Sequence, residues 1–539
     1  MKKYYHIRER DMLFIVVVLG FISRLFIADH YSYWLDEIAS VYIYGVANSN
    51  IIEAISFLSA KSIHPPLYQF VLNLWMGVFG DTEVATRTLS NIYIAIASVV
   101  LYRLVYLQKG YQTAIAALVL FSLTSTAVKY SYETRSYAQT ILFVTISSLG
   151  LYKVINRDVM EQAARKYFRG IWPFILFSAN TGLVLTHYYN IFMLVGQGIF
   201  FWTFLIIRRG GRIDLWGDVS RLAYAYVAPV AMLVVIWFPA LLRSLNSLPE
   251  RFEVTSEQSW PLYRVIYDMT LRLTLTAPFA SSVILLVVIF FYFALRWVVR
   301  RSRELSNERA IFDFYYVVWF LAPCAVAWVA FQFASKERYE ARYFVASIPA
   351  LSILLTLAFR QIVGFATAGS YRMRRLAVQW SLPLVSLYAF VVLVPVTLQT
   401  VNIEKADWRG LATRIAAMAR NEPNRQFVLY ESNFAAGSVI NYYFGRVFTN
   451  LRVTHFITPK NEQMEKYPFE DDKKKMKGGE RIVLIFPHRS VKEYQKTVSA
   501  AARSFTEVAR ILDRRGFGFI LYDNTPPAQP PAGSAVNSQ

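Results

Sequence analysis

The chain has 539 residues, of which 55% are hydrophobic, 16% aromatic and only 17% charged, with a formal net charge of +21. Soluble domains ordinarily carry about 25% charged residues, so an ordinary soluble globule is excluded and a bilayer protein with Tyr- and Trp-rich interfaces is indicated. The single cysteine, Cys324, rules out an intrachain disulfide and a zinc site built from cysteines.

A bilayer core of about 30 Å needs about 20 apolar residues in a helix. Runs of that kind predict eleven spans, near 11–28, 86–107, 111–129, 137–155, 171–187, 188–207, 222–244, 272–296, 311–334, 343–362 and 378–399. The first run follows Lys2, Lys3, Arg8 and Arg10, as a signal peptide would. No small-x-small cleavage site precedes Asp29 and His30, so it reads as a retained helix. With the N-terminus inside, the inner loops hold Arg157, Arg165, Lys166 and Arg169, then Arg208, Arg209, Arg212 and Arg221, then Arg300, Arg301, Arg303 and Arg309, and finally Arg372, Arg374 and Arg375. The first outer loop, 29–85, holds little more than Lys61, with Arg87 at its edge. This is the positive-inside pattern. The net charge is therefore topology, aided by anionic lipid, and argues against a nucleic-acid partner.

Residues 65–79 are apolar but reach only about 22 Å as a helix. If they spanned, every later basic loop would change sides. They are expected to lie in the outer interface, with Pro65 and Pro66 at the start and Gln69 and Asn73 on one face. Residues 37–47 are expected to form a similar helix. Beyond 399 the pattern changes. DWRGLATRIAAMA reads as an amphipathic helix N-capped by Asp407, QFVLYES, RIVLIFPH and FGFILYD as strands, and SVKEYQKTVSAAARSF as a further helix. The expected domains are thus an all-α membrane part over 1–399, a small α/β domain over 400–524 on the extracytoplasmic side, and a Pro-rich disordered tail over 525–539. The loop 459–480 reads as solvated. The lack of any Asn-x-Ser/Thr sequon leans towards a bacterial source, hence the cytoplasmic (inner) membrane.

Unusual polar residues gather on the outer side of this topology. They are the segment from Tyr31 to Asp36 and Glu37; Lys61 to His64; Lys129 to Tyr137, with Glu133 and Arg135; and Lys336 to Tyr343, with Glu340 and Arg342. His187-Tyr188-Tyr189 forms a smaller group, in which His187 reads as an interfacial residue. Charge at membrane depth is costly and persists where it pairs or works. Ion pairing of Glu133 with Arg135, or interfacial anchoring by Arg and Tyr, accounts for any one group. Their convergence on one face suits glycosyl transfer from a lipid phosphate. A carboxylate takes the proton of the attacking hydroxyl, cations hold the phosphate that leaves, aromatic faces receive the sugar, and a groove between spans receives the lipid. Adjacent residues on a helix do not share a face, so only one of Asp36 and Glu37 can point at an acceptor. The other can orient it, bind a cation or cap the helix.

The ordered motifs WLDE at 34–37, HPPLY at 64–68, Gly80 to Arg87-Thr-Leu-Ser, ETRSY at 133–137 and ARYFVASIPAL at 341–351 make the chain resemble the GT-C superfamily of integral-membrane glycosyltransferases. Its nearest branches would be bacterial relatives of the protein O-mannosyltransferases and the lipid A aminoarabinose transferases. DWRGLATRI at 407–415 is similar to the start of the extracytoplasmic domain in bacterial members. The resemblance implies a polyprenyl-phosphate sugar donor, inversion at the anomeric carbon, and a general base at Asp36 with Glu37 beside it. It implies phosphate contacts from Lys61, Arg135 and Arg342, with Tyr343 as a hydrogen-bond partner, and places His64, Glu133 and Tyr137 among the substrate-binding residues. Some relatives bind a divalent metal cation, for which His64, Glu37 and Glu133 are the ligands on offer. The acceptor stays open among lipid, polysaccharide and protein of the cell envelope. Thr134 stands where bacterial relatives often have Ala, and the appended sugar-binding modules of eukaryotic protein mannosyltransferases are lacking. A membrane transporter or lipid flippase is the alternative reading, though no internal repeat and no midplane charge supports it. A non-catalytic envelope scaffold is a third.

Overall fold

The computed structural model describes residues 9–43, 45, 51–62, 64–160, 171–208, 215–246, 261–263, 266, 308–333, 341–366, 394, 398, 407–431, 442–444, 451–453, 480–486, 502, 505–512 and 518–523. The chain separates into two compact units. One is Met1–His30 with Tyr44–Ile403, and the other is Tyr31–Ile43 with Glu404–Gln539.

The first unit is helical. Its described elements are α1 (Glu9–Ala28), α3 (Ile51–Lys61), α4 (Leu67–Phe79), α5 (Glu83–Lys109), α6 (Tyr111–Leu123), α7 (Ser125–Ser131), α8 (Tyr137–Met160), α9 (Ile171–Thr186), α10 (Asn190–Arg208), α11 (Leu215–Leu222), α12 (Ala228–Asn246), α13 (Glu308–Phe333) and α14 (Ile348–Ala366). A short α2 (Leu35–Ile38) belongs to the second unit. Six described helices are long and apolar enough to cross a membrane, or seven if the bent pair α6–α7 is one span. The predicted spans near 272–296 and 378–399 lie outside the described residues. The apolar run at 111–129 is not straight: α6 and α7 meet at 62°. The break is at Thr124, whose backbone is extended (φ −62°, ψ 123°) and whose hydroxyl donates back to the Leu120 carbonyl at 2.8 Å. The helix at 67–79 is short, and Gln69 does donate to Asn73 at 3.0 Å.

Local chemistry sets the longest helix, α5. The Thr82 hydroxyl accepts the Ala85 N–H, Glu83 and Lys109 sit at the ends that favour their charges, and Gly110 closes the helix at φ +80°. Around it, α8 packs on α5 and α9, α10 on α13, and α14 on α6 and α13. A Cβ at Gly196 would overlap the Ala322 side chain, so α10 and α13 approach closely there. A polar seam is buried among these helices. Ser147 Oγ sits 2.6 Å from Asn180 Oδ1 and 2.9 Å from Gln197 Oε1, and the Gln197 amide donates to Tyr315 Oη at 2.7 Å. The Asn180 amide donates to the Ala225 carbonyl at 2.8 Å. Ala225 lies in a π-helical turn, Ala223–Val227, where the looser backbone leaves a carbonyl available to a side chain.

The second unit is a small α/β fold. Its helix α15 (Trp408–Asn421) is capped by Asp407, which accepts the Gly410 N–H at 2.9 Å. The strands are β1 (Phe427–Glu431), β2 (Leu451–Val453), β3 (Arg481–Phe486), β4 (Thr506–Leu512) and β5 (Gly518–Asp523), in the order β2-β1-β3-β5-β4. β1 runs parallel to β2 and β3; β5 runs antiparallel to β3 and β4. The three expected strands are β1, β3 and β5. β2 and β4 are additions: the expected chain path has no strand between the 490–505 helix and β5. That helix, most of the 459–480 loop and the tail lie outside the described residues. At the sheet's end, Arg481 binds Glu422 at 2.6 Å and Asp523 at 2.7 Å, with Arg425 on Asp523 at 3.0 Å.

Candidate active site

In the membrane unit, residues from four separate segments meet. The ETRSY loop is pinned from below by α5. Thr86 and Thr134 hydroxyls are 2.8 Å apart, and Ser90 donates to the Glu133 carbonyl at 2.7 Å. That carbonyl also accepts the Arg135 N–H at 2.8 Å. Further along α5, the buried Arg87 donates to the Ala28 carbonyl at 2.7 Å, which ties the end of α1 to the same helix. Glu133 is buried, with 1% of its surface exposed. Tyr137 opens α8 and is buried, with the Arg135 guanidinium 6.0 Å from its ring centre.

Arg135 reaches back to the first outer loop. Its guanidinium lies 3.4 Å from His64 Nε2. A guanidinium only donates, so this His64 nitrogen presents its lone pair. His64 itself is held by an exchange with Ser62, whose hydroxyl donates to the His64 carbonyl and accepts the His64 N–H, both at 3.1 Å. The Ser62 carbonyl accepts from Arg243 at 2.7 Å. Lys61 ends α3, and its side chain lies outside the described residues.

The third segment is the turn between α9 and α10. Asn190 holds it by donating to the Leu183 carbonyl at 2.9 Å and to Thr140 Oγ1 at 3.1 Å. His187, at its centre, packs against His64 (5.5 Å between ring centres), Tyr343 (5.3 Å) and Tyr137 (6.3 Å). Burial first, then the charges of Arg135 and Arg342, push its pKa down to about 3. The imidazole is neutral at any physiological pH.

The fourth segment is a 3-10 helix, Ala341–Ser347, leading into α14. Trp319 donates to the Ala346 carbonyl at 2.7 Å and Ser347 to the Phe320 carbonyl at 3.0 Å, so α13 fixes its position. Tyr343 stacks on Tyr189 at 4.4 Å, and the Arg342 guanidinium lies 5.6 Å from the Tyr343 ring centre. His64, Glu133, Arg135, Tyr137, Arg342 and Tyr343 were all singled out in the sequence. His187 and Tyr189 were not counted as site residues. Their signal was a small His-Tyr-Tyr group after an apolar run, which spacing alone cannot separate from an interfacial belt.

The acidic pair belongs to the second unit. Segment 31–43 joins that unit through the Tyr33 N–H to Tyr443 Oη at 2.6 Å, the Trp408 N–H to Ser32 Oγ at 3.0 Å, and edge-on contacts of Tyr33 and Tyr42 with Tyr442. Asp36 and Glu37 open α2. Glu37 is fully buried and its carboxylate accepts the Trp34 N–H at 3.3 Å, which is the helix-capping option. Asp36 is half-buried, and its carbonyl accepts the Ser40 hydroxyl at 3.3 Å. Within the helix expected at 37–47, the described residues form α2 and one π-helical turn, Ala39–Ile43. Among the described residues no group of three or more His, Cys, Asp or Glu is placed to hold a metal ion.

Residues 63–238 match the sequence model of the dolichyl-phosphate-mannose-protein mannosyltransferases. Curated protein sequences give no match. Among solved structures, the chain is similar to ArnT from Cupriavidus metallidurans bound to undecaprenyl phosphate. The TM-score is 0.57 and the identity 15%, covering 96% of this chain and 98% of that one. The apo state of the same protein gives a TM-score of 0.55 at 15% identity over the same shares. The Archaeoglobus fulgidus oligosaccharyltransferase, tethered to an acceptor peptide with an NVT sequon, gives a TM-score of 0.51 at 12% identity, covering 97% of this chain and 74% of that one.

Proposed function

We propose that this integral membrane protein, which has the GT-C glycosyltransferase fold, moves a sugar from a polyprenyl-phosphate donor to a glycan, lipid or protein acceptor of the cell envelope. The observation that carries the reading is the convergence of Arg135, His64, Tyr137, Arg342 and Tyr343 from distant segments into one cationic, aromatic cluster. Such a cluster suits an anionic leaving group with a sugar attached. The ArnT structure with undecaprenyl phosphate supports a donor of that class, and the peptide on the archaeal oligosaccharyltransferase keeps a protein acceptor in view.

The mechanism follows from bond changes at the anomeric carbon. An acceptor hydroxyl attacks it, the bond to the phosphate oxygen breaks, and the configuration inverts. Asp36 takes the hydroxyl proton, and the electron pair of the broken bond leaves on the phosphate. Arg135 and Arg342, with Lys61, neutralise that charge as it develops. Tyr343 donates a hydrogen bond to the phosphate, and His64, Glu133 and Tyr137 hold the sugar. Glu37 keeps the helix carrying Asp36 in place. The reaction belongs on the extracytoplasmic side of the bacterial inner membrane, where the positive-inside pattern puts the outer loops. The domain boundaries at 399 and 524 are part of this proposal.

Mass spectrometry of envelope lipids and glycans from a deletion strain tests it. The expected result is one missing sugar, restored by the wild-type chain and not by Asp36→Asn, which would name donor and acceptor together. An unchanged glycan profile, with altered lipid flux across the membrane, would favour the flippase reading instead.

A further inference from the structure

His187 belongs to the cluster, and the proposed mechanism does not use it. Its Nδ1 accepts the Tyr189 N–H at 3.3 Å. A neutral imidazole carries one proton, so that proton sits on Nε2. Nε2 is buried and has no hydrogen-bond partner among the described residues, and the residue is only 6% exposed. Buried N–H groups are nearly always satisfied, and an exception calls for an explanation. The ring is fenced by His64, Tyr137, Tyr189 and Tyr343, which leaves it little freedom to turn elsewhere.

We infer that His187 is a substrate-binding residue whose Nε2–H donates to an oxygen of the donor's phosphate, between the guanidiniums of Arg135 and Arg342. The inference rests on the polyprenyl-phosphate reading above. Three features favour phosphate over the sugar. A phosphate oxygen only accepts, which matches a group that can only donate. Arg135 borders His64 and Arg342 borders Tyr343, and both of those rings pack on His187, so an anion held by the two guanidiniums would lie near it. An N–H held rigidly by the Tyr189 backbone adds direction where two guanidiniums supply charge. The neutral donor also contributes without adding a third cation, which the two arginines would repel.

Binding of undecaprenyl phosphate to the full chain in nanodiscs tests this, with wild type, His187→Gln and His187→Phe compared. Glutamine places an amide N–H near the position of Nε2, whereas phenylalanine keeps the ring and removes the donor. Affinity within about threefold of wild type for His187→Gln, and at least tenfold weaker for His187→Phe, is the expected pattern. Wild-type binding matched by His187→Phe overturns this inference alone. A wild type that does not bind the probe overturns the donor assignment and this inference with it. Should the phenylalanine variant not fold, a structure of the wild type with undecaprenyl phosphate decides: Nε2 at about 3 Å from a phosphate oxygen is expected, and a separation beyond about 4 Å refutes the contact.

Discussion

Asp36 and Glu37 are neighbours in sequence with different environments. Glu37 is fully buried and bonded to the Trp34 N–H, while Asp36 stays half-buried. Glu37→Ala removes a cap from α2 and is expected to lower stability by about 1 kcal/mol, read as a lower melting temperature in detergent; an unchanged melt would show that the cap carries no weight. Arg135→Ala should lose both the phosphate charge and the contact to His64, raising KM for the donor more than tenfold with the protein still folded. A variant with unaltered KM would remove Arg135 from the phosphate site. His187 adds a pH signature. Its folded pKa of about 3 lies below the ordinary 6.5, so between those values the unfolded chain binds the extra proton. Its contribution is complete above 6.5 and declines as pH falls towards 3. Wild type should lose melting temperature relative to His187→Gln on acidification through that window, and parallel curves would contradict the assigned burial.

The helices rest on close contacts that composition anticipates only in kind. Gly196 meets Ala322 where α10 crosses α13, and a Cβ there has no room. Gly196→Val should destabilise by about 1–3 kcal/mol, seen as earlier thermal aggregation; normal stability would mean the helices separate readily. Apolar run length made most spans legible, as did the cap at Asp407 and the strands rich in Val, Ile, Leu and Phe. The bend at Thr124 was hidden because a single extended residue makes the break inside an otherwise uniform apolar run. β4, TEVARIL, was hidden because its charged residues alternate weakly with apolar ones, as suits an edge strand with exposed faces. In the cluster, charged motifs beside apolar runs pointed to Arg135 and Arg342, which the fold brings near His64 and Tyr343. His187 read as interfacial because the packing of His64, Tyr137, Tyr189 and Tyr343 around it is not visible in residue spacing.

At the scale of the molecule, low charge content and basic inner loops express one constraint: backbone and charge must both be reconciled with lipid. α1 keeps to this, with only 11% of its apolar window buried, so most of its surface is left for lipid. The proposed topology puts residues 400–539 outside; protease added to intact spheroplasts should cleave there, and protection would overturn it. The central claim is sugar transfer with Asp36 as base. Its most direct measurement is transfer by the purified chain in proteoliposomes, supplied with the lipid-linked sugar that glycan analysis identifies. Wild type should release free polyprenyl phosphate in step with glycosylated acceptor, and Asp36→Asn should be slower by about a hundredfold or more while folding normally. Full transfer by Asp36→Asn would contradict the account.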